Sequence, residues 1–243
     1  MPDYYNDHDP FVCSWLKELM KDGLIPEGHI DDRSISAVNP DDLRGYERVH
    51  LFAGIGGWAE ALRLAEYHGP IWTGSPPCQP FSMAGKGRGH EDDRNLWPEM
   101  ARLIRECKPA IVVGEQVPGA IRLGWLDGVF ADLEAENYAC GAVVLGAHSV
   151  GAPHIRQRLY WVAYAERDGL HGAGHTGTRR WDESSDCRVI LGRDGKTRRI
   201  PAEPALFPLA HGVPNRVGTL RGAGNAIVPP LAAEFLKAAL DAG

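Results

Sequence analysis

The sequence predicts an α/β protein built on a doubly wound, mostly parallel sheet. Three observations carry this reading. A short apolar strand, RVHLFAG at 48–54, runs into the glycine turn GIGGW and then into AEALRLAEYH, a helical stretch with Ala59, Leu62 and Ala65 on one face. Strand-length apolar segments then alternate with amphipathic helical ones as far as residue 139. Finally, CGAVVLGAH and LYWVAYA, with GAPHIRQR between them, read as a strand hairpin that closes the sheet.

A chain of 243 residues is one domain, or one domain with a small appendage. No apolar run approaches the roughly 20 residues that span a bilayer, and the acidic opening MPDYYNDHDP is not that of a signal peptide. Cys13, Cys78, Cys107, Cys140 and Cys187 are scattered without a CxxC pair, which argues against a structural zinc or a disulfide framework and for a reducing cytosol. His171 and His175 lie among glycines, not on a helix, so no metal site is expected. The net charge of −6 is not that of a general nucleic-acid binder. Arg179, Arg180, Arg188, Arg193, Lys196, Arg198 and Arg199 nevertheless cluster in one glycine-rich stretch, and a local basic patch can hold phosphates on an acidic chain.

Taken in order, residues 11–24 have helical spacing through Phe11, Trp15 and Leu19, with Gly23 as a stop. Residues 25–43 read as loop and short turns, with NPDDL a helical cap. PIWTGSPPCQ is a second strand that ends at Cys78, NLWPEMARLIRECKP a helix, AIVVGEQVPGA a buried strand with Glu115 at its carboxyl end, and WLDGVFADLEAENYA a helix. Residues 166–200 lack periodicity and read as an inserted segment. The chain ends in a turn, GNAIVPP, and a helix with Leu231, Phe235 and Leu236 on its apolar side.

Ligands of such sheets bind beyond the carboxyl ends of the strands, so the glycine turn and Cys78 project to one edge. The turn offers close backbone approach and free N–H groups at a helix start, which suits a nucleotide-type cofactor. Cys78 sits in GSPPCQPFSMAGKGRG, residues 74–89, where the prolines hold the backbone extended and display the thiol in a loop. Taken alone, the Pro-Pro-Cys run could equally be a stiffened turn with a half-buried thiol.

Five stretches in a fixed order decide between these readings. HLFAGIGG, GSPPCQPFS, GEQV, HIRQR and GNAIVPP resemble, in that order, the cofactor turn, Pro-Cys nucleophile loop, Glu-Asn-Val signature, QxRxR pattern and C-terminal Gly-Asn segment of the DNA cytosine-5 methyltransferases. The chain resembles short phage-borne members of that family. The resemblance implies a Rossmann-like S-adenosylmethionine-dependent methyltransferase sheet, double-stranded DNA as partner, a monomer, and a role in restriction-modification in the cytoplasm of a bacterial or phage-infected cell. It implies catalytic roles for Cys78, Glu115, Arg156 and Arg158. The cofactor would lie on Phe52, Ala53, Gly54, Ile55, Gly56 and Gly57, close to Pro77, Asn225 and Ala226. DNA contacts would come from Gln79, from Ser82, Gly85 and Lys86 in a mobile flap over residues 82–89, and from Arg179, Arg180, Arg198 and Arg199.

That chemistry needs these residue types. A thiolate on carbon 6 of cytosine turns carbon 5 into an enamine carbon able to accept a methyl group. Nearby cations favour the thiolate. A desolvated glutamate with a raised pKa can give a proton to ring nitrogen 3. Arg158 would hold the base carbonyl, and Arg156 the base or the backbone. The target base must leave the duplex, at a cost of about a few kcal/mol.

The domain reading is an N-terminal arm, 1–47; a catalytic cofactor-binding domain, 48–163; a small target-recognition segment, 164–211; and a returning C-terminal segment, 212–243. Three departures from the family stand out. His50 replaces an aspartate, Gln116 replaces the Asn of Glu-Asn-Val, and only EYHGP separates the first helix from the Cys78 strand. The second and third strands of the family, which bring acidic residues to the adenosine, have no room there. Either the sheet is truncated or the N-terminal arm fills the space. In the second case Asp31 or Asp32 would face the ribose, or the arm would only cover the hydrophobic edge. Two alternatives to the DNA enzyme are the same chemistry on RNA or a free nucleotide, and a non-catalytic DNA-binding protein with a decayed cofactor pocket.

Overall fold

The computed structural model describes residues 2–77, 95–152, 154–165, 226–241 and the backbone of 187–191 and 197–201. The described elements follow the expected α/β alternation: β1 (Asp3–Asn6), α1 (Pro10–Lys21), β2 (Gly28–Asp31), β3 (Arg48–Leu51), α2 (Gly57–Leu64), β4 (Ile71–Gly74), α3 (Trp97–Cys107), β5 (Ile111–Gln116), α4 (Gly119–Arg122), α5 (Trp125–Glu134), β6 (Tyr138–Gly146), β7 (Gln157–Ala165), β8 (Cys187–Leu191), β9 (Thr197–Pro201) and α6 (Pro229–Leu240). Short 3-10 turns at Ile35–Ala37 and Pro40–Leu43 carry the chain from β2 to β3. No described helix is long and apolar enough to cross a membrane.

The sheet is not truncated. Seven strands are ordered β2-β1-β3-β4-β5-β7-β6, and the two strands with no room after α2 come from the N-terminal arm. β1 pairs in parallel with both β3 and β2, so the arm extends the sheet on the side of the glycine turn. The predicted hairpin is present: β7 runs antiparallel to both β5 and β6. Two readings need correction. Residues 28–31, read as loop, form the edge strand β2, and the segment read as aperiodic contains the antiparallel pair β8–β9. The helix at 125 also ends earlier than its pattern suggests, because Asn137 turns the chain at φ +62° and β6 begins at Tyr138.

Each face of the sheet has its own core. Tyr4, Val49, Leu51, Trp72, Val112 and Trp161 pack beneath α3 and α5. On the other face Ile71, Val113, Tyr160 and Val162 pack against α2 and α6, while Tyr5 packs against α1 and Ala59 of α2. The arm is bolted on by buried polar groups as well. Arg48 Nε donates to Asp3 Oδ1 at 2.7 Å, and His50, stacked on Tyr5, bridges Asp3 Oδ2 and Thr73 Oγ1 at 3.3 and 2.8 Å. Buried charges need such partners, and this set ties β1, β3 and β4 together.

The permuted order has a topological cost. The β1–α1–β2 unit steps toward one edge of the sheet and β3–α2–β4 toward the other, yet α1 and α2 cover the same face. The β3–α2–β4 connection therefore has the opposite hand to β1–α1–β2. It also has the opposite hand to β4–α3–β5, whose helix covers the other face. Such a reversal is rare among parallel crossovers, about 98% of which share one hand.

Candidate active site

The carboxyl ends of β3, β4 and β5, with the start of β7 beside them, form the site. After β3 the chain makes a tight turn in which Phe52, Gly54 and Gly56 have φ of 53°, 54° and 79°. Gly56 caps α2 in the left-handed region, where a side chain is disfavoured. A Cβ on Gly57 would come within 2.7 Å of Ile227, so the helix start sits directly against the segment that precedes α6. The expected cofactor residues Phe52 to Gly57 and Ala226 are thus brought together. Asn225 lies outside the described residues.

β4 leads into Ser75, buried Pro76 and half-buried Pro77. Ser75 Oγ accepts from Trp58 Nε1 of α2 at 3.1 Å, which fixes the base of the Pro-Pro-Cys loop. Gln116, at the end of β5, donates from Nε2 to Pro76 O at 3.0 Å, while its Oε1 accepts from Val117 N at 2.9 Å. Both anchors were missed by sequence reasoning; only the departure at Gln116 drew attention to one of them. Cys78, Gln79, Ser82, Gly85 and Lys86 lie outside the described residues, as do Arg179 and Arg180. Arg198 and Arg199 fall on β9, opposite Ile190 and Val189.

Glu115 is 7% exposed. Arg158 Nε lies 2.7 Å from its Oε1. Burial pushes the carboxyl up to about 7, against the opposing pull of Arg158 and Arg156. The sheet thus holds a carboxylic acid that is substantially protonated near neutral pH and anchored at one oxygen. Arg156 belongs to a strained turn, with φ +27°. Its Nη2 donates to Ala226 O at 2.6 Å and clasps the C-terminal segment to the catalytic edge. Burial, and then the neighbouring Arg158, push its guanidinium pKa down.

The arm reaches the same edge. Asp7, just past β1, accepts from the N–H of Gly54 through Oδ2 at 3.0 Å. Asp31 does not face this turn. It is 4% exposed, with Oδ2 accepting from Tyr4 and Arg33 at 2.5 and 2.6 Å, and Oδ1 from the backbone N and Nε of Arg33. Burial alone would raise its pKa, but the Arg33 and Tyr4 bonds outweigh it and hold the carboxyl down at about 2. Asp32 is exposed. A separate cavity bordered by Tyr46, Trp72, Cys107 and Pro109 opens at the other end of these strands, away from Glu115.

Comparison with known proteins gives the family. The family model for C-5 cytosine-specific DNA methylase matches residues 69–197, more than half of the chain. The chain belongs to that family. Among its relatives, type II methyltransferase M.AplI of Arthrospira platensis is 35% identical over 99 residues, 40% of this chain and 29% of the relative. M.AquIA of Picosynechococcus sp. is 28% identical over 170 residues, 64% of this chain and 60% of the relative. M.HhaI of Haemophilus parahaemolyticus is 36% identical over 92 residues, 36% of this chain and 28% of the relative. The chain thus spans between 28% and 60% of the length of these curated methylases. Among solved structures, the Entamoeba histolytica methyltransferase EhMeth shares the fold with a TM-score of 0.56 at 13% identity, over 98% of this chain and 89% of that one.

Proposed function

We propose that this protein is a DNA cytosine-5 methyltransferase that uses S-adenosylmethionine and attacks a flipped-out cytosine through Cys78. The observation that carries the proposal is the buried Glu115, its carboxyl pushed up to about 7 by burial and paired with Arg158 at the edge where the Pro76–Pro77 segment leads to Cys78. Glu115 gives its proton to ring nitrogen 3 as the Cys78 sulfur bonds to carbon 6, so that the electron pair displaced from the ring double bond leaves carbon 5 nucleophilic. Arg158 stabilises the carboxylate that remains. After transfer, a water molecule in the site takes the carbon 5 proton as the thiolate is expelled, and ring nitrogen 3 returns its proton to Glu115, which restores the aromatic ring and the starting state of both side chains.

S-adenosylmethionine supplies the electrophilic methyl group when bound. The residues present suit it. The Phe52–Gly57 turn has the backbone form that admits an anionic or nucleotide group, and the arm supplies the carboxyl-bearing strand ends that the shortened link after α2 lacks. Asp7, beside Gly54, is the carboxylate best placed to accept ribose hydroxyls. A decayed pocket was the reading favoured by missing strands, and the arm removes that argument.

The test is methyl transfer from labelled S-adenosylmethionine to duplex DNA, RNA and dCMP, followed by bisulfite sequencing. Duplex DNA should be labelled, and Cys78→Ala should abolish labelling while DNA binding persists. DNA carrying 5-fluorocytosine at the target should trap the protein covalently, because carbon 5 then has no removable proton. Labelling of RNA alone would transfer the same chemistry to the other substrate. More than a few per cent of activity in Cys78→Ala would end the assignment of the nucleophile.

A further inference from the structure

Tyr160 is a buried titratable group that the steps above do not use. It lies on β7 directly opposite Glu115 of β5, and antiparallel partners project from the same face of the sheet with Cβ atoms about 4.5–5.5 Å apart. Its ring is fully buried, edge-on to Trp58 of α2 at 6.2 Å and tilted against Phe235 of α6 at 5.3 Å. Its hydroxyl is also buried; the Val228 backbone N–H is directed at its oxygen, and its proton has no acceptor within hydrogen-bond distance among the described residues. Burial, and then the charge of Glu115, push the phenol far above its ordinary range, so the group is a neutral O–H donor at any working pH. Arg156, Arg158 and the Val228 backbone pull the other way and do not reverse this.

A buried hydroxyl whose proton has no acceptor costs about 1–3 kcal/mol, and phenylalanine would fill the same space without that cost. Arg158 holds Oε1 of Glu115, and among the described residues no bond is formed to Oε2. We infer that Tyr160 is a positioning residue for Glu115, its O–H donating, directly or through one water, to the second carboxylate oxygen once Glu115 has given up its proton. This role rests on the proposed function. The carboxylate formed during catalysis would then have a donor on each oxygen, Arg158 on one side and Tyr160 on the other. Among the described residues the charged groups that act on Glu115 are the two arginines; Trp58 and Phe235, which α2 and α6 bring against Tyr160, carry no charge.

The experiment compares wild type, Tyr160→Phe and protein with 3-fluorotyrosine at position 160. Single-turnover methylation is followed across pH, and the Glu115 titration is read by carboxyl-labelled glutamate NMR. A hydrogen bond to the carboxylate favours the ionised form, so Tyr160→Phe should move the Glu115 midpoint up. It should also lower the maximal rate roughly tenfold or more without changing KM for DNA or lowering Tm. Fluorotyrosine, a stronger donor, should move the midpoint down. Midpoints that coincide in all three proteins would overturn the role of Tyr160 while leaving the proposed function standing. A wild-type protein that fails to methylate any cytosine substrate, or a Glu115→Gln variant with full activity, would overturn that function and this role with it.

Discussion

The carboxylate of Asp7 accepts a hydrogen bond from the backbone N–H of Gly54 at 3.0 Å, so the arm meets the glycine turn at the point where a cofactor would lie. Asp7→Ala should therefore weaken S-adenosylmethionine binding, measured by calorimetry, by tenfold or more, on the order of 1.5–3 kcal/mol for bonds to a charged group. Asp31→Ala should act differently. It removes the partner of Arg33 and Tyr4, so its effect should be a lower Tm with little direct change in affinity per folded molecule. Protein starting at Asp42 lacks β1 and β2, leaves β3 as an open edge, and should show no cooperative unfolding transition.

The glycine turn, the Glu115 strand and the closing hairpin were legible because each carries its own local signal, a periodicity or a turn. The arm strands were not, for a physical reason. All four residues of β1, Asp-Tyr-Tyr-Asn, are buried, so no alternation marks them. Asp3 and Asn6 are tolerated there only through tertiary partners: Arg48 and His50 for Asp3, and the carbonyls of Asp31 and Arg33 for Asn6. Sequence reasoning did register the consequence, two strands missing from their place, and so reached the arm by exclusion. It named Asp31 or Asp32 as the acid toward the ribose, and nothing in the run Asp31-Asp32-Arg33 reveals that Arg33 folds back onto Asp31.

Glu115 sets two pH dependences. Methyl transfer should fall as pH rises through about 7, where the folded carboxyl ionises. Stability has the same sign. The folded pKa is raised from 4.5 to about 7, so this group's contribution is full below the unfolded value and is lost as pH rises from 4.5 to about 7. Glu115→Gln should abolish most activity and flatten the stability curve in that window. Urea denaturation at pH 4.5, 6 and 8 tests this, the difference between variant and wild type changing with pH if the assignment holds.

Gly114 is fixed by packing. A Cβ there would fall 2.3 Å from Cζ2 of buried Trp161 and 2.6 Å from Gly74 O, neither of which can move without opening the sheet. Gly114→Ala should cost at least the 1–3 kcal/mol typical of overpacking, roughly, and lower Tm by several degrees. An unchanged Tm would mean that the Trp161 ring does not sit against β5.

The last prediction concerns the departure at Gln116. Its amide is buried and its orientation is fixed at both ends, with Oε1 on Val117 N at 2.9 Å and Nε2 on Pro76 O at 3.0 Å. Pro76 lies two residues before Cys78, so the side chain couples the end of β5, where Glu115 sits, to the lead-in of the proposed nucleophile. Gln116→Ala leaves the Pro76 carbonyl without its buried donor and should cost about 1–3 kcal/mol. In kinetic terms, kcat and the rate of 5-fluorocytosine trapping should fall by tenfold or more, while KM for S-adenosylmethionine stays near the wild-type value. Gln116→Asn restores the side chain found in the family signature, but it is one methylene shorter on an unchanged backbone. It can keep the Val117 bond or the Pro76 bond, and it should therefore fall between wild type and alanine in trapping rate. Equal trapping rates in all three proteins would show that the loop holds its position without Gln116, and that Trp58 on Ser75 is anchor enough.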